Sequence, residues 1–177
     1  MYKLLLFLFV FTLSLTVKSQ SYKSSSHRVE LGYLLTNTGQ GFQAGVSLLN
    51  NVENLHHASF SYDSGNIGLA TTSYKVIKVD YAHLYSLNLK ELLLWNVRNN
   101  EMFLNVGGGG FVSYEMLKND FLDMSKNQFS PGVNITVEFE IFYRNLGFFL
   151  SGTQLYRPMS IIGHWEYRFG MGLKYML

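Results

Sequence analysis

The stretch HWEYRFGMGLKYML, His164 to Leu177, alternates without a break. Trp165, Tyr167, Phe169, Met171, Leu173, Tyr175 and Leu177 fall on one parity. His164, Glu166, Arg168, Gly170, Gly172, Lys174 and Met176 fall on the other. A period of two is a β-strand, because successive side chains point to opposite faces. One face of this strand is large and apolar, and the other is charged or nearly bare. A last strand that stays apolar to its end suits a cylinder closed by that strand, so the stretch predicts a β-barrel.

The same rhythm extends upstream. Val29, Leu31, Tyr33 and Leu35 oppose Arg28, Glu30 and Gly32 in a first strand over 28–36. A second runs over 42–49 and a third over about 55–63, with Ser64 to Gly68 read as a loop. In a fourth, from about Thr72 to Tyr85, Ile77, Val79, Tyr81 and Tyr85 oppose Lys78, Asp80 and Ala82. Residues 89–100 fit either a helical turn or a strand extension. The fifth strand starts near Glu101 and passes through Gly107 to Gly110 to reach Glu115. Met116 to Pro131 reads as the longest loop, rich in Lys, Asn and Asp. In the sixth strand Val133, Ile135, Val137, Phe139, Ile141 and Tyr143 oppose Asn134, Thr136, Glu138, Glu140 and Arg144. Arg144-Asn145 permits a tight hairpin into a seventh strand, 146–156, whose facing is ambiguous because both parities are apolar. The closing strand is the eighth.

Alternation alone does not say which face meets water. A soluble barrel is apolar inside, whereas a membrane barrel is apolar outside. The polar parity is rich in Gly and Ser and carries both signs of charge, as a narrow lumen requires. Tyr33, Phe42, Tyr62, Tyr85, Tyr143, Trp165 and Tyr175 stand near strand ends on the apolar parity, where an interfacial girdle is expected. The expected fold is therefore all-β: an eight-stranded antiparallel transmembrane β-barrel in the cell outer membrane, bounded by lipid.

The N-terminus reads as a secretory signal peptide over 1–19. Lys3 precedes an apolar core from Leu4 to Leu15, shorter than the ~20 residues of a membrane-spanning helix. Val17 and Ser19 sit at −3 and −1 of a cleavage before Gln20. The barrel domain then occupies 20–177. The full chain has 14 Lys+Arg, 12 Asp+Glu and no Cys. Without Lys3 and Lys18 the basic and acidic residues are equal in number. That balance gives no electrostatic case for direct nucleic-acid binding. The absence of Cys excludes a disulfide framework.

Residue by residue, no site for chemistry stands out. Gly107 to Gly110 lacks the Lys-Ser/Thr and the helix that a phosphate-cradling loop needs. His56 and His57 are adjacent, so a strand turns them to opposite faces, and Asp80 and His83 differ in parity. His83 and Ser86 lie near each other without a recognisable Ser–His–acid spacing. Glu138, Glu140, Arg144, Glu166 and Arg168 read as a lumen salt-bridge network. No catalytic residue, cofactor or metal ligand is expected.

Leu104-Asn105-Val106-Gly107-Gly108-Gly109-Gly110-Phe111-Val112-Ser113-Tyr114-Glu115 resembles the glycine-rich strand ending in Gly-Tyr-Glu of the TraO family. These are small outer-membrane barrels of Bacteroidetes conjugative transposons. Arg168 to Tyr175 is similar to that family's closing strand, although Ser113 stands where the family has Gly and the chain ends in Met176-Leu177 rather than an aromatic. The resemblance implies a structural or assembly component of a conjugative DNA-transfer apparatus, with other apparatus proteins as partners and no catalytic site. Two alternatives remain open from the residues alone: a barrel enzyme that modifies lipid A, and a soluble lipocalin-like binder.

Overall fold

The computed structural model describes residues 26–50, 54–67, 72–89, 100–119 and 124–177. The signal peptide expected over 1–19, and most of the 89–100 connection, lie outside the described residues. Eight strands follow in order: β1 (Ser26–Thr36), β2 (Gly39–Leu49), β3 (Asn54–Ile67), β4 (Thr72–Asn88), β5 (Asn100–Asn119), β6 (Met124–Tyr143), β7 (Leu146–Tyr156) and β8 (Trp165–Met176). Each pairs antiparallel with its sequence neighbours, and β1 pairs with β8, closing the barrel. The closure register sets Glu30 against Lys174 and Leu31 against Leu173. Closure pairs every strand on both sides, so the wall has no edge strand.

Side-chain burial settles the facing. Leu173 is 56% exposed and Lys174 is 1% exposed, although they are neighbours in the chain. Leu31, Phe42, Phe60, Val79, Val112, Ile135 and Phe169 are all exposed on the outer wall. Arg28, Glu30, Lys78, Glu138, Glu140, Glu166 and Arg168 are buried inside. The molecule is thus apolar outside and polar inside, which a soluble binding barrel is not. Ala44 and Ala58, small residues on the outer parity, leave the wall shallow there between Phe42 and Phe60. The facing of β7 is also decided: Gly147, Phe149, Ser151 and Leu155 turn inward, while Leu146, Phe148 and Tyr156 turn outward.

Several expected boundaries move. Met116 to Pro131 is not a loop: Met116–Asn119 continues β5, Met124–Pro131 belongs to β6, and the two stay in register up to Asn119 and Met124. Polar composition suggested a loop, but a wall that has risen above the membrane is polar without ceasing to be a sheet. For the same reason Ser64–Ile67 extends β3 and Gly39–Gly41 extends β2. Arg144 is not in the lumen. It sits in the two-residue β6–β7 turn with a left-handed φ of 57°, and the chain reverses there before the inward parity reaches it.

The β5 glycines have a geometric reason. A Cβ on Gly107 would meet Leu84 Cα at 2.7 Å, and one on Gly109 would meet Ala82 Cα at 2.6 Å. At these two positions β5 bends too tightly against β4 to admit a side chain. Gly109→Val is therefore expected to prevent assembly, seen as loss of the fast-migrating folded band on unheated gels. Leu173→Arg puts a cation on the lipid-facing wall and should weaken or abolish the folded band, by at most ~2–4 kcal/mol of insertion free energy, with Leu173→Ile retaining it.

Candidate functional site

Alternation drives one side chain in two into the lumen, so the lumen is where the buried chemistry collects. It is organised in layers. At the end holding both termini, Leu49, Leu55, Ala82 and Leu84 form an apolar cluster. Beside it the Arg28 guanidinium lies 4.9 Å from the Phe103 ring centre and 5.0 Å from that of Phe142. The end at which β1 begins and β8 ends is the periplasmic end of such an even-stranded barrel.

Above this floor lies the first charge cluster. Lys174 Nζ donates to Glu138 Oε1 at 2.7 Å and to Glu140 Oε1 at 2.6 Å, and pairs with Glu30 Oε2 at 2.9 Å. Arg28 Nη1 donates to Glu140 Oε2. His57 Nε2 meets Glu30 Oε1 at 2.9 Å, and Asn105 Nδ2 donates to Glu138 Oε1 at 3.0 Å. Five strands, β1, β3, β5, β6 and β8, are tied together by these contacts.

The second cluster lies toward the opposite mouth. Arg168 donates to Asp63 Oδ1 at 2.6 Å, to Ser61 Oγ at 3.0 Å and to Glu166 Oε1. Arg157 pairs with Glu166 and, at 3.3 Å, with Glu115. Lys78 pairs with Asp80 at 2.6 Å. Between the clusters remains a polar cavity of about 30 Å³, lined by Gln43, Ser59, Asp80, Asn134, Ser151 and others. It is too small for any solute beyond a water or two.

The outer mouth is covered by the β7–β8 connection. Ser160 Oγ donates to Glu115 Oε2 at 2.8 Å and the Ile161 amide donates to the same oxygen at 3.0 Å. The Ile162 and Gly163 amides donate to Ser160 Oγ at 3.1 Å each. Gln128 Nε2 on β6 donates to the Met159 carbonyl. This connection also lies beside a stretch of β6 that β7 leaves uncovered, since their pairing begins only at Val133. Pro131, within that stretch, lacks an N–H for a further strand to use.

The expected network is present, with a changed membership. Glu138, Glu140, Glu166 and Arg168 belong to it, and Arg144 does not. Asp63, Glu115, Arg157 and His57 join it. Glu115 ends the expected fifth strand and shares the inward parity of Phe111 and Ser113, whereas Arg157 follows a strand end, where alternation gives no facing. His83 and Ser86 are not brought together: His83 is exposed outside and Ser86 is buried inside. His56 and His57 also separate, outside and inside. Among the described residues, no group of three or more His, Cys, Asp or Glu gathers as a metal centre.

No family model and no curated protein sequence matches the chain. Solved structures do. The N-terminal β-barrel domain of Pseudomonas aeruginosa OprF superposes with a TM-score of 0.59 at 11% identity, over 88% of this chain and 98% of that one. Neisserial surface protein A superposes with a TM-score of 0.56 at 9% identity, over 88% and 99%. A major outer membrane protein from Thermus thermophilus gives 0.55 at 9% identity, over 88% and 100%. These likenesses are of fold. Joined to the apolar outer wall and the charged interior, they define the class: the chain is an eight-stranded outer-membrane β-barrel.

Two measurements probe the lumen. Lys174→Met leaves three buried carboxylates without their common cation and should destabilise the barrel by about 3–5 kcal/mol in urea unfolding from lipid vesicles. Adding Glu138→Gln and Glu140→Gln should recover part of that loss. Glu115→Ala removes the acceptor that holds Ser160 and Ile161. Limited proteolysis should then cut within 157–164 while the barrel stays folded.

Proposed function

We propose that this barrel is a structural or assembly component of a conjugative DNA-transfer apparatus, anchored in the outer membrane and engaging other apparatus proteins through surfaces outside its lumen. The filled lumen carries the first half of this reading. Among the described residues, two charge clusters, an apolar floor and the connection at the outer mouth leave the lumen between the clusters only a cavity of about 30 Å³, too small for a substrate. Whatever the protein does is done by its rims, its outer wall or the projecting β5–β6 hairpin.

The resemblance to the TraO family supports the second half. Its two matching segments are not incidental surface. Glu115, closing the Tyr-Glu element, holds the mouth connection, and Arg168 and Lys174, in the closing strand, centre the two charge clusters. The segments that resemble that family thus supply residues that fill this barrel. Direct contact with DNA is not part of the reading, given the balanced charge and the blocked lumen.

Deletion of the gene from a donor strain should sharply reduce transfer of the mobile element, with recovery on complementation. Unaltered transfer would overturn the conjugation role. Lipid A from the deletion strain should keep its mass spectrum, since a changed acyl pattern would instead indicate a lipid-modifying enzyme. The purified protein in planar bilayers should show no steady conductance.

A further inference from the structure

Near the outer ends of four adjacent strands the outward parity changes from apolar to polar. It passes from Tyr62 to Ser64 on β3, from Ile77 to Lys75 on β4, from Met116 to Lys118 on β5 and from Phe129 to Asn127 on β6. Just before the change, Tyr62, Ile77, Tyr114 and Phe129 are joined by register in one row. Tyrosines at the top of an apolar wall mark the bilayer surface. Lys75 and Lys118 are thus the first polar side chains that β4 and β5 turn outward beyond the lipid chains.

Register sets Lys75 against Met116 and Ser73 against Lys118. The two lysines are therefore diagonal neighbours on one face, ~7–8 Å apart at Cβ, and two flexible stems at that spacing can close on one anion. Both are exposed. With Ser73, Met116, Ser125 and Asn127 they line a groove of about 310 Å³. Among the described residues no carboxylate shares this face. Asp63, Glu115 and Glu166 at the same end are buried in the lumen, each paired with an arginine.

We propose that Lys75 and Lys118 bind the phosphate of a glycolipid headgroup in the outer leaflet. The two ammonium groups hold the phosphate. Ser73, Ser125 and Asn127 offer hydroxyl and amide partners to the sugar hydroxyls, and Ile77 and Tyr114 lie beside the acyl chains. The occupant is a lipid rather than a soluble anion because the groove opens directly above the apolar wall. A headgroup anchored there meets it at a high effective concentration. Lys126, across from Leu117, belongs to the opposite parity and takes no part.

The test is native mass spectrometry of the detergent-purified protein titrated with monophosphoryl lipid A or with phosphatidylcholine. One monophosphoryl lipid A should be retained in preference to phosphatidylcholine. Lys75→Gln and Lys118→Gln should each weaken retention roughly fivefold, and the double variant more than either. Lys126→Gln should bind as the parent does. Heat-modifiable gel mobility should be unchanged in all of them, since these side chains lie outside the lumen network. Equal retention of phosphatidylcholine, undiminished binding in the Lys75→Gln/Lys118→Gln variant, or loss of binding in Lys126→Gln would each overturn the proposal. So would displacement of the lipid by equimolar inorganic phosphate or polyglutamate, which would make the groove a site for soluble anions or acidic chains.

Discussion

Neutralisation of charge inside a closed wall governs this structure. Period-two alternation in a membrane barrel drives most charged side chains of the lipid-facing wall inward. Eight strands leave too little room for bulk water there. An unpaired carboxylate in such a place would be strongly destabilising. Lys174 resolves the problem for three of them at once, from a single strand, with β1 on one side and β6, one strand beyond β7, on the other. The register that closes β8 on β1 also brings Glu30 beside Lys174. A shift by one residue would send Lys174 into lipid and Leu173 into the charge cluster.

The lumen is graded along its axis. The periplasmic floor is aliphatic and aromatic, with Arg28 held between two rings and paired to Glu140. The outer mouth is ionic and ends in a short connection whose amides and Ser160 hydroxyl meet Glu115. The two ends are thus filled by different chemistry. Between the two ends the charge clusters fill the described lumen.

That exterior is not uniform. Its wall is aliphatic and aromatic, with ring pairs such as Tyr114–Phe129 and, where β7 ends and β8 begins, Tyr156–Trp165. β5 and β6, at 20 residues each, are longer than the roughly 9–11 residues a membrane crossing uses and rise as a hairpin past their neighbours. Near the outer rim Lys75 and Lys118 share one outward face.

Alternation and its consequences were legible in the chain alone: eight strands, their order, the outward apolar parity and the inward charges. Those follow from local geometry, since one residue's facing sets its neighbour's. Strand ends were not legible where polar composition imitates a loop, as at Met116–Pro131, because a sheet above the membrane loses its apolar signature while keeping its hydrogen bonds. β7 was undecided because both of its parities are apolar, and its neighbours in the wall choose between them. Which charges meet emerged with the folded barrel. Lys174 lies 36 residues from Glu138 in sequence, and Lys75 and Lys118 stand on different strands. Placements of that kind depend on register and barrel closure, which are properties of the paired strands together and of no single one.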